Sequence, residues 1–158
     1  MLRIISLSAA VLLLVVFHPA YSEETAGSTL QGKVASESDP RQLVSMPEQA
    51  RQLMRRDMLD HLSALNEIVA YLADNNLDAV AEVAEIRMGK SSMGKHRATG
   101  MGPGKFMPPA MRNLGWGMHE SASELSRLAK EGDLKGVFAA LQKVTASCVA
   151  CHYSYRTR

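Results

Sequence analysis

Between Ser45 and Tyr155, apolar residues recur every three or four positions in four separate stretches, the spacing that gathers them on one face of an α-helix. The first stretch carries Met54, Met58, His61, Leu65, Ile68 and Leu72. It is expected to start at Ser45 or Met46, with Ser45 as N-cap, Pro47 near the first turn and Glu48 adding negative charge at the helix N-terminus, and to stop near Asp74-Asn75-Asn76. A second helix is expected from about Asp78 to Met88, using Val80, Val83, Ala84 and Ile86 and closed by Gly89. The third follows Pro108-Pro109 with Met111, Leu114, Met118, Ala122, Leu125 and Ala129 on one side. Glu131-Gly132-Asp133 turns the chain into a fourth, whose seam is Leu134, Val137, Leu141, Val144, Cys148, Cys151 and Tyr155. No sustained run alternates Val, Ile and Thr, so strands are not expected. The reading is an all-α protein, an antiparallel four-helix bundle with short turns and one longer crossover.

That crossover, residues 89 to 107, breaks the helical pattern. Gly89, Gly94, Gly100, Gly102, Pro103 and Gly104 lie among Met88, Met93, Met101 and Met107. Loops of this length in small domains are often functional or mobile.

Upstream of the helices the chain changes character twice. Arg3 is followed by an almost continuous apolar stretch from Ile4 to Phe17, and Ala20-Tyr21-Ser22 sets small residues where a signal peptidase cuts. Residues 1–22 therefore read as a signal peptide; the stretch is shorter than the ~20 residues a membrane-spanning helix needs. Residues 23–40 are small, polar and mixed in charge, a flexible leader. The folded domain is residues 41–158. With 158 residues and a formal charge of +2, basic side chains are scattered rather than gathered, and no nucleic-acid footprint is present.

The chemistry is concentrated near the end, in Cys148-Val149-Ala150-Cys151-His152. Cys-x-x-Cys-His is the attachment signature of a c-type haem. Two thiols three residues apart on a helix can each add to one vinyl group of a porphyrin, and the next residue offers an imidazole to the iron. Cys148 and His152 are four apart and share a helical face. A redox dithiol or half of a zinc site would use the same pair of cysteines. The first belongs near a βαβ pattern and the second needs four ligands, whereas these are the only two cysteines. Export and the motif support each other, because attachment of this kind is completed outside the bacterial cytoplasm.

With this motif on the last helix of a bundle, the chain resembles the class II cytochromes c, the cytochromes c′ and their low-spin relatives. The resemblance runs from roughly Met46 to Arg158 and is most specific in Cys148-x-x-Cys151-His152-x-x-Tyr155-Arg156. It implies one haem c per chain, thioethers at Cys148 and Cys151, His152 as proximal iron ligand, and Arg156 near the haem edge within reach of a propionate. Tyr155 is expected to pack in the seam. The family divides at the sixth coordination position. Low-spin members place a methionine of the first helix on the iron, and Met58 fits that place best; Met54 and His61 are the alternatives. High-spin members leave the position open to small gases.

The function expected is electron transfer through low-spin His/Met iron in an exported, periplasmic protein that is not an enzyme. Its partners would be transient redox proteins, with no stable membrane association after signal cleavage, and the resemblance admits a homodimer. Nitric oxide or carbon monoxide binding at an open iron is the second reading. A non-haem helical protein that binds a metal or a partner is the third. His61, His96 and His119, with nearby methionines, are a candidate copper or zinc set.

Overall fold

The computed structural model describes residues 39–158, so the signal peptide expected at residues 1–22 and all of the expected leader but Asp39 and Pro40 lie outside the described residues. Four α-helices account for most of the fold: α1 (Glu48–Ala73), α2 (Leu77–Val83), α3 (Pro109–Lys130) and α4 (Leu134–Ser154). Two-residue strands β1 (Gln42–Leu43) and β2 (Tyr155–Arg156) flank them. The all-helical expectation holds.

Local chemistry explains where each helix begins. The residue before a proline is driven to extended backbone, so Met46 cannot be helical and α1 starts at Glu48 rather than at Ser45 or Met46. Pro47 occupies the N-cap and no side chain caps the helix, which corrects the expectation for Ser45. At the other end Asn75 takes a left-handed φ of 53°, which asparagine tolerates. The Asn76 side chain then accepts a hydrogen bond from the Ala79 backbone N–H at 3.2 Å and starts α2. Asp133 does the same for α4, accepting from Gly136 N–H at 2.9 Å after Gly132 has turned the chain at φ 74°.

The second helix departs from expectation. Its α-helical part ends at Val83, and Ala84–Met88 forms a π-turn closed by Gly89. Val80, Ala81, Ala84 and Met88 are buried, while Ile86 is 60% exposed. Ile86 lies roughly opposite that stripe in helical phase, so its apolar identity misled the reading. Gly89 is extended rather than left-handed, and its smallness serves a close approach: a Cβ there would lie 2.8 Å from the Glu85 backbone.

Helix α3 supplies the spine of the core. Met118, Ala122, Leu125 and Ala129 are buried as expected, against Val80, Ala81, Ala84 and Met88 on one side and Val137, Ala140 and Val144 of α4 on the other. Ala64 and Ile68 of α1 complete this cluster. Buried Ser126 donates to the Ala81 carbonyl at 2.7 Å, tying α3 to α2. Among the described residues α4 is long and apolar enough to cross a membrane by length and composition, yet its Val137, Ala140 and Val144 are spent on this core. Leu134, expected in the seam, is exposed.

Two features were not foreseen. Helix α4 stops at Ser154, so Tyr155 leaves the helix and pairs as part of β2 with β1 in a parallel bridge, Gln42 opposite Tyr155 and Leu43 opposite Arg156. Val44 N–H extends the ladder to the Arg156 carbonyl at 2.8 Å. Between α2 and α3 the crossover is built from 3-10 turns at Lys90–Ser92, Arg97–Thr99 and Pro103–Lys105.

Glu85 anchors the start of the crossover, accepting hydrogen bonds from the Ser91 backbone N–H at 3.0 Å and from the Ser91 hydroxyl. Burial works to raise its carboxyl, but hydrogen bonds from Ser123 and Ser91 outweigh it and hold the pKa below the ordinary glutamate value. A carboxylate with a depressed folded pKa stabilises above its unfolded pKa, and that stability is lost as pH falls through the folded value. Glu85→Gln should therefore cost about 1–2 kcal/mol at pH 7, with the gap to wild type closing below about pH 4 in denaturant titrations; a gap independent of pH would refute the role.

Candidate functional site

Helix α4 carries Cys148, Cys151 and His152 in its last two turns. Cys148 packs at the edge of the main core, and Cys151 joins a smaller cluster with Val44, Met54, Met111 and Tyr155. Both cysteines are free and partly buried. Burial raises both thiols above the ordinary cysteine pKa, with Cys148 adding to the effect at Cys151. They are neutral thiols at neutral pH, not thiolates.

These residues form one wall of a cavity of about 650 Å³. The opposite wall is α1, with Met54, Met58 and His61, and the floor is α3, with Met111, Leu114, Gly115 and Met118. The α1 and α4 backbones hardly meet, while α3 packs closely on α4. The gap between the first and last helices is the cavity itself. The structure thus brings together every residue the sequence singled out for the haem: Cys148, Cys151, His152, Arg156, Met58, Met54 and His61 all line it.

The three candidates on α1 differ in their surroundings. Met54 is 9% exposed and packs into the smaller cluster. Met58, one turn on, is 38% exposed, although the helical pattern placed it in the core. It faces open space because α4 is held away from it. His61 is 7% exposed, its ring sits edge-on to His119 at a centroid distance of 5.8 Å, and neither of its nitrogens is hydrogen-bonded among the described residues. Burial, with the neighbouring His119, lowers its pKa to about 4 and keeps it neutral.

Arg156 presents a sharper signal. Its Nε is buried with no hydrogen-bond partner, the nearest carboxylate oxygen being that of Asp39 at 3.7 Å. A guanidinium nitrogen left unpaired beside a cavity is costly unless an anion reaches it. Arg41, Arg51, Arg55 and Arg158 line the same cavity. Arg55 is exposed at the cavity mouth, and Arg51, Arg55 and Met58 are spaced four and three apart, so the helical spacing in the sequence already set them on one side of α1. Tyr155 is half-buried and packs against the smaller cluster, as expected.

A second cavity of about 470 Å³ adjoins the first and shares Met54, Met58, His61, Met107 and Met118 with it. The glycine-rich crossover forms its far side, so that loop is laid over a cavity wall. Its midpoint is held by Asp57 of α1, which accepts from His96 Nε2 at 2.9 Å and from Lys95 at 2.9 Å. Asp57 escaped the sequence reading because a pair 39 residues apart leaves no periodic trace. Of the three histidines proposed as a metal set, His61 and His119 come together, whereas His96 is taken by Asp57. Among the described residues no group of three His, Cys, Asp or Glu side chains is placed to hold a metal ion.

The family model described as Cytochrome C' matches residues 108–156, which takes in α3, the turn, α4 and β2. That match covers under half of the chain, and over this segment it bears out the resemblance to the class II cytochromes c, with the covalently attached haem c that the family implies. No curated protein and no solved structure matches the chain.

Removing the Asp57 clamp should loosen the crossover selectively. Asp57→Asn is expected to cost on the order of 1 kcal/mol locally, roughly a five-fold rise in the open population. Tryptic cleavage at Lys95, Arg97 and Lys105 should quicken by that factor while α3 and α4 stay protected; an unchanged rate would show that the ion pairs do not hold the loop.

Proposed function

We propose that residues 41–158 form an antiparallel four-helix bundle holding one haem c, and that the protein is an exported electron carrier of the periplasm rather than an enzyme. One observation carries this reading. A cavity of about 650 Å³ has the attachment motif on one wall and Met58 on the wall opposite, within the ~300–1,000 Å³ range of small-molecule and cofactor sites. The match to the cytochrome family over residues 108–156 supports it independently.

The residues present suit the group. Cys148 and Cys151 are unpaired thiols on one helical face, available for thioether formation. His152 lines the same cavity, and its imidazole would be the proximal ligand. Unlike Met54, Met58 has a side chain that the protein core does not hold, and so is free to approach the iron. Arg156 would satisfy its buried Nε on a propionate carboxylate, and Arg55 and Arg158 would add positive charge along the same cavity. Met111, Leu114 and Met118 keep the interior apolar and shed water from it. When bound, haem c supplies a one-electron couple, and a histidine–methionine ligand pair raises its potential. Transient redox proteins would be the partners. Export follows from the reading of residues 1–22 as a signal peptide.

A second reading has an observation of its own. The adjoining cavity of about 470 Å³ leads to the same methionine wall, which would suit a high-spin protein whose open iron position takes nitric oxide or carbon monoxide.

Optical spectra of protein matured in a host that attaches c-type haem separate the two. Low-spin six-coordinate iron with the weak thioether-to-iron band in the ferric form is the expected result. Met58→Ala should abolish that band and yield a high-spin spectrum. Met54→Ala should keep the spectrum and cost about 2–5 kcal/mol of stability, as a buried methionine does. A high-spin wild type would sink the electron-transfer reading in favour of gas binding, and absence of covalent haem would sink both.

A further inference from the structure

We propose that the second cavity binds one Cu(I) ion, held by the imidazoles of His61 and His119 and the thioether of Met93. The argument starts from donor chemistry. Five methionines line this cavity with three histidines, and neutral imidazole with thioether is a donor set that favours soft Cu(I) over harder ions. Three nitrogen or oxygen donors, as zinc prefers, are not gathered among the described residues. Two imidazoles and one thioether are enough for monovalent copper.

Both imidazoles are prepared for a ligand role. His119 Nδ1 lies 2.7 Å from the Met88 carbonyl, to which it must donate, so its proton sits on Nδ1 and Nε2 keeps its lone pair. A backbone carbonyl holding one ring nitrogen is the usual outer support of a metal-bound histidine. His61 is 7% exposed and has no hydrogen-bond partner among the described residues, although its ring lines the cavity. Its ring nitrogens are not among the fully buried unpaired atoms, so they open onto the cavity and offer a lone pair to a ligand there. With metal–nitrogen bonds of about 2 Å, one ion bridging two rings holds their centroids roughly 6 Å apart; His61 and His119 are at 5.8 Å.

Elimination picks the sulfur. Met118 belongs to the main core, and Met54 and Met107 to the smaller cluster. Met58 is engaged by the proposed haem, which also leaves His61 off the iron, and in these two respects the copper site rests on that reading. Met93 remains, 41% exposed on the crossover and packed in neither cluster. His96 contributes nothing, because Asp57 holds it.

The test is a titration of the haem-loaded, signal-processed protein with Cu(I) buffered by bicinchoninate under anaerobic reducing conditions, with the haem spectrum read in the same cuvette. One equivalent of copper should leave the chelator. His119→Ala should weaken binding at least about 10-fold, the lower bound known for disturbing a metal-bound histidine, and Met93→Leu should weaken it clearly, both without altering the haem spectrum. His119→Asn replaces the alanine variant if that fails to fold, and Met93→Leu changes an exposed side chain at nearly constant volume. No copper withdrawn from the chelator, or wild-type affinity in both variants, overturns the site. Missing haem bands in the same spectrum would count against the proposed function alone, since the copper titration is read from the chelator.

Discussion

The close packing of α3 on α4 is the contact on which the rest of the structure depends. It is tight where small side chains allow it, with Ala122 and Ala129 against Val137 and Ala140 near the turn. Toward the other end, α3 carries Met111, Leu114 and Met118, and α1 stands off from α4. The two cysteines of α4 therefore leave the core just where the bundle opens, half-buried and facing a cavity rather than a neighbouring helix. Had the helices met equally along their length, the same motif would lie on a closed seam with no room for a porphyrin.

Charge is distributed to serve that opening. Acidic residues near the cavity are spent locally, Asp39 on Arg41 and Glu48 on Arg51. Arg55 and Arg158 have no such partner among the described ion pairs, and Arg156 keeps one buried nitrogen unsatisfied. On the opposite side of α1, Arg87 binds Asp60 at 2.6 Å and reaches Glu67 as well, fixing the π-turn to α1. One face of α1 is thus braced by ion pairs while the other, which lines the cavity, is left cationic and apolar.

Much of this was legible in the residue order. The stripe of α3 was read correctly from Met111 to Ala129 because a long amphipathic helix repeats its signal many times. The Cys148–His152 motif was legible because its chemistry requires fixed spacing. Ile86 failed because a short segment offers too few repeats to fix the phase, and an apolar side chain was counted by identity instead of direction. Pairings across the chain failed for a different reason: Asp57 with His96, and β1 with β2, join residues whose proximity is decided by helix packing and leaves no local pattern. Met58 illustrates the remaining gap, since its periodic position promised burial and the withdrawal of α4 denied it.

The parallel bridge between β1 and β2 bears on the order in which the domain assembles. It joins Gln42 to Tyr155, residues near opposite ends of the described chain, whereas α3 and α4 meet through a three-residue turn. Contacts near in sequence form before those that must close a long loop. The helical hairpin that displays Cys148 and Cys151 is accordingly expected to form early, and the strand pair that includes Arg156 late. On that order the thiols would be presented before the latch of the strand bridge closes beside them.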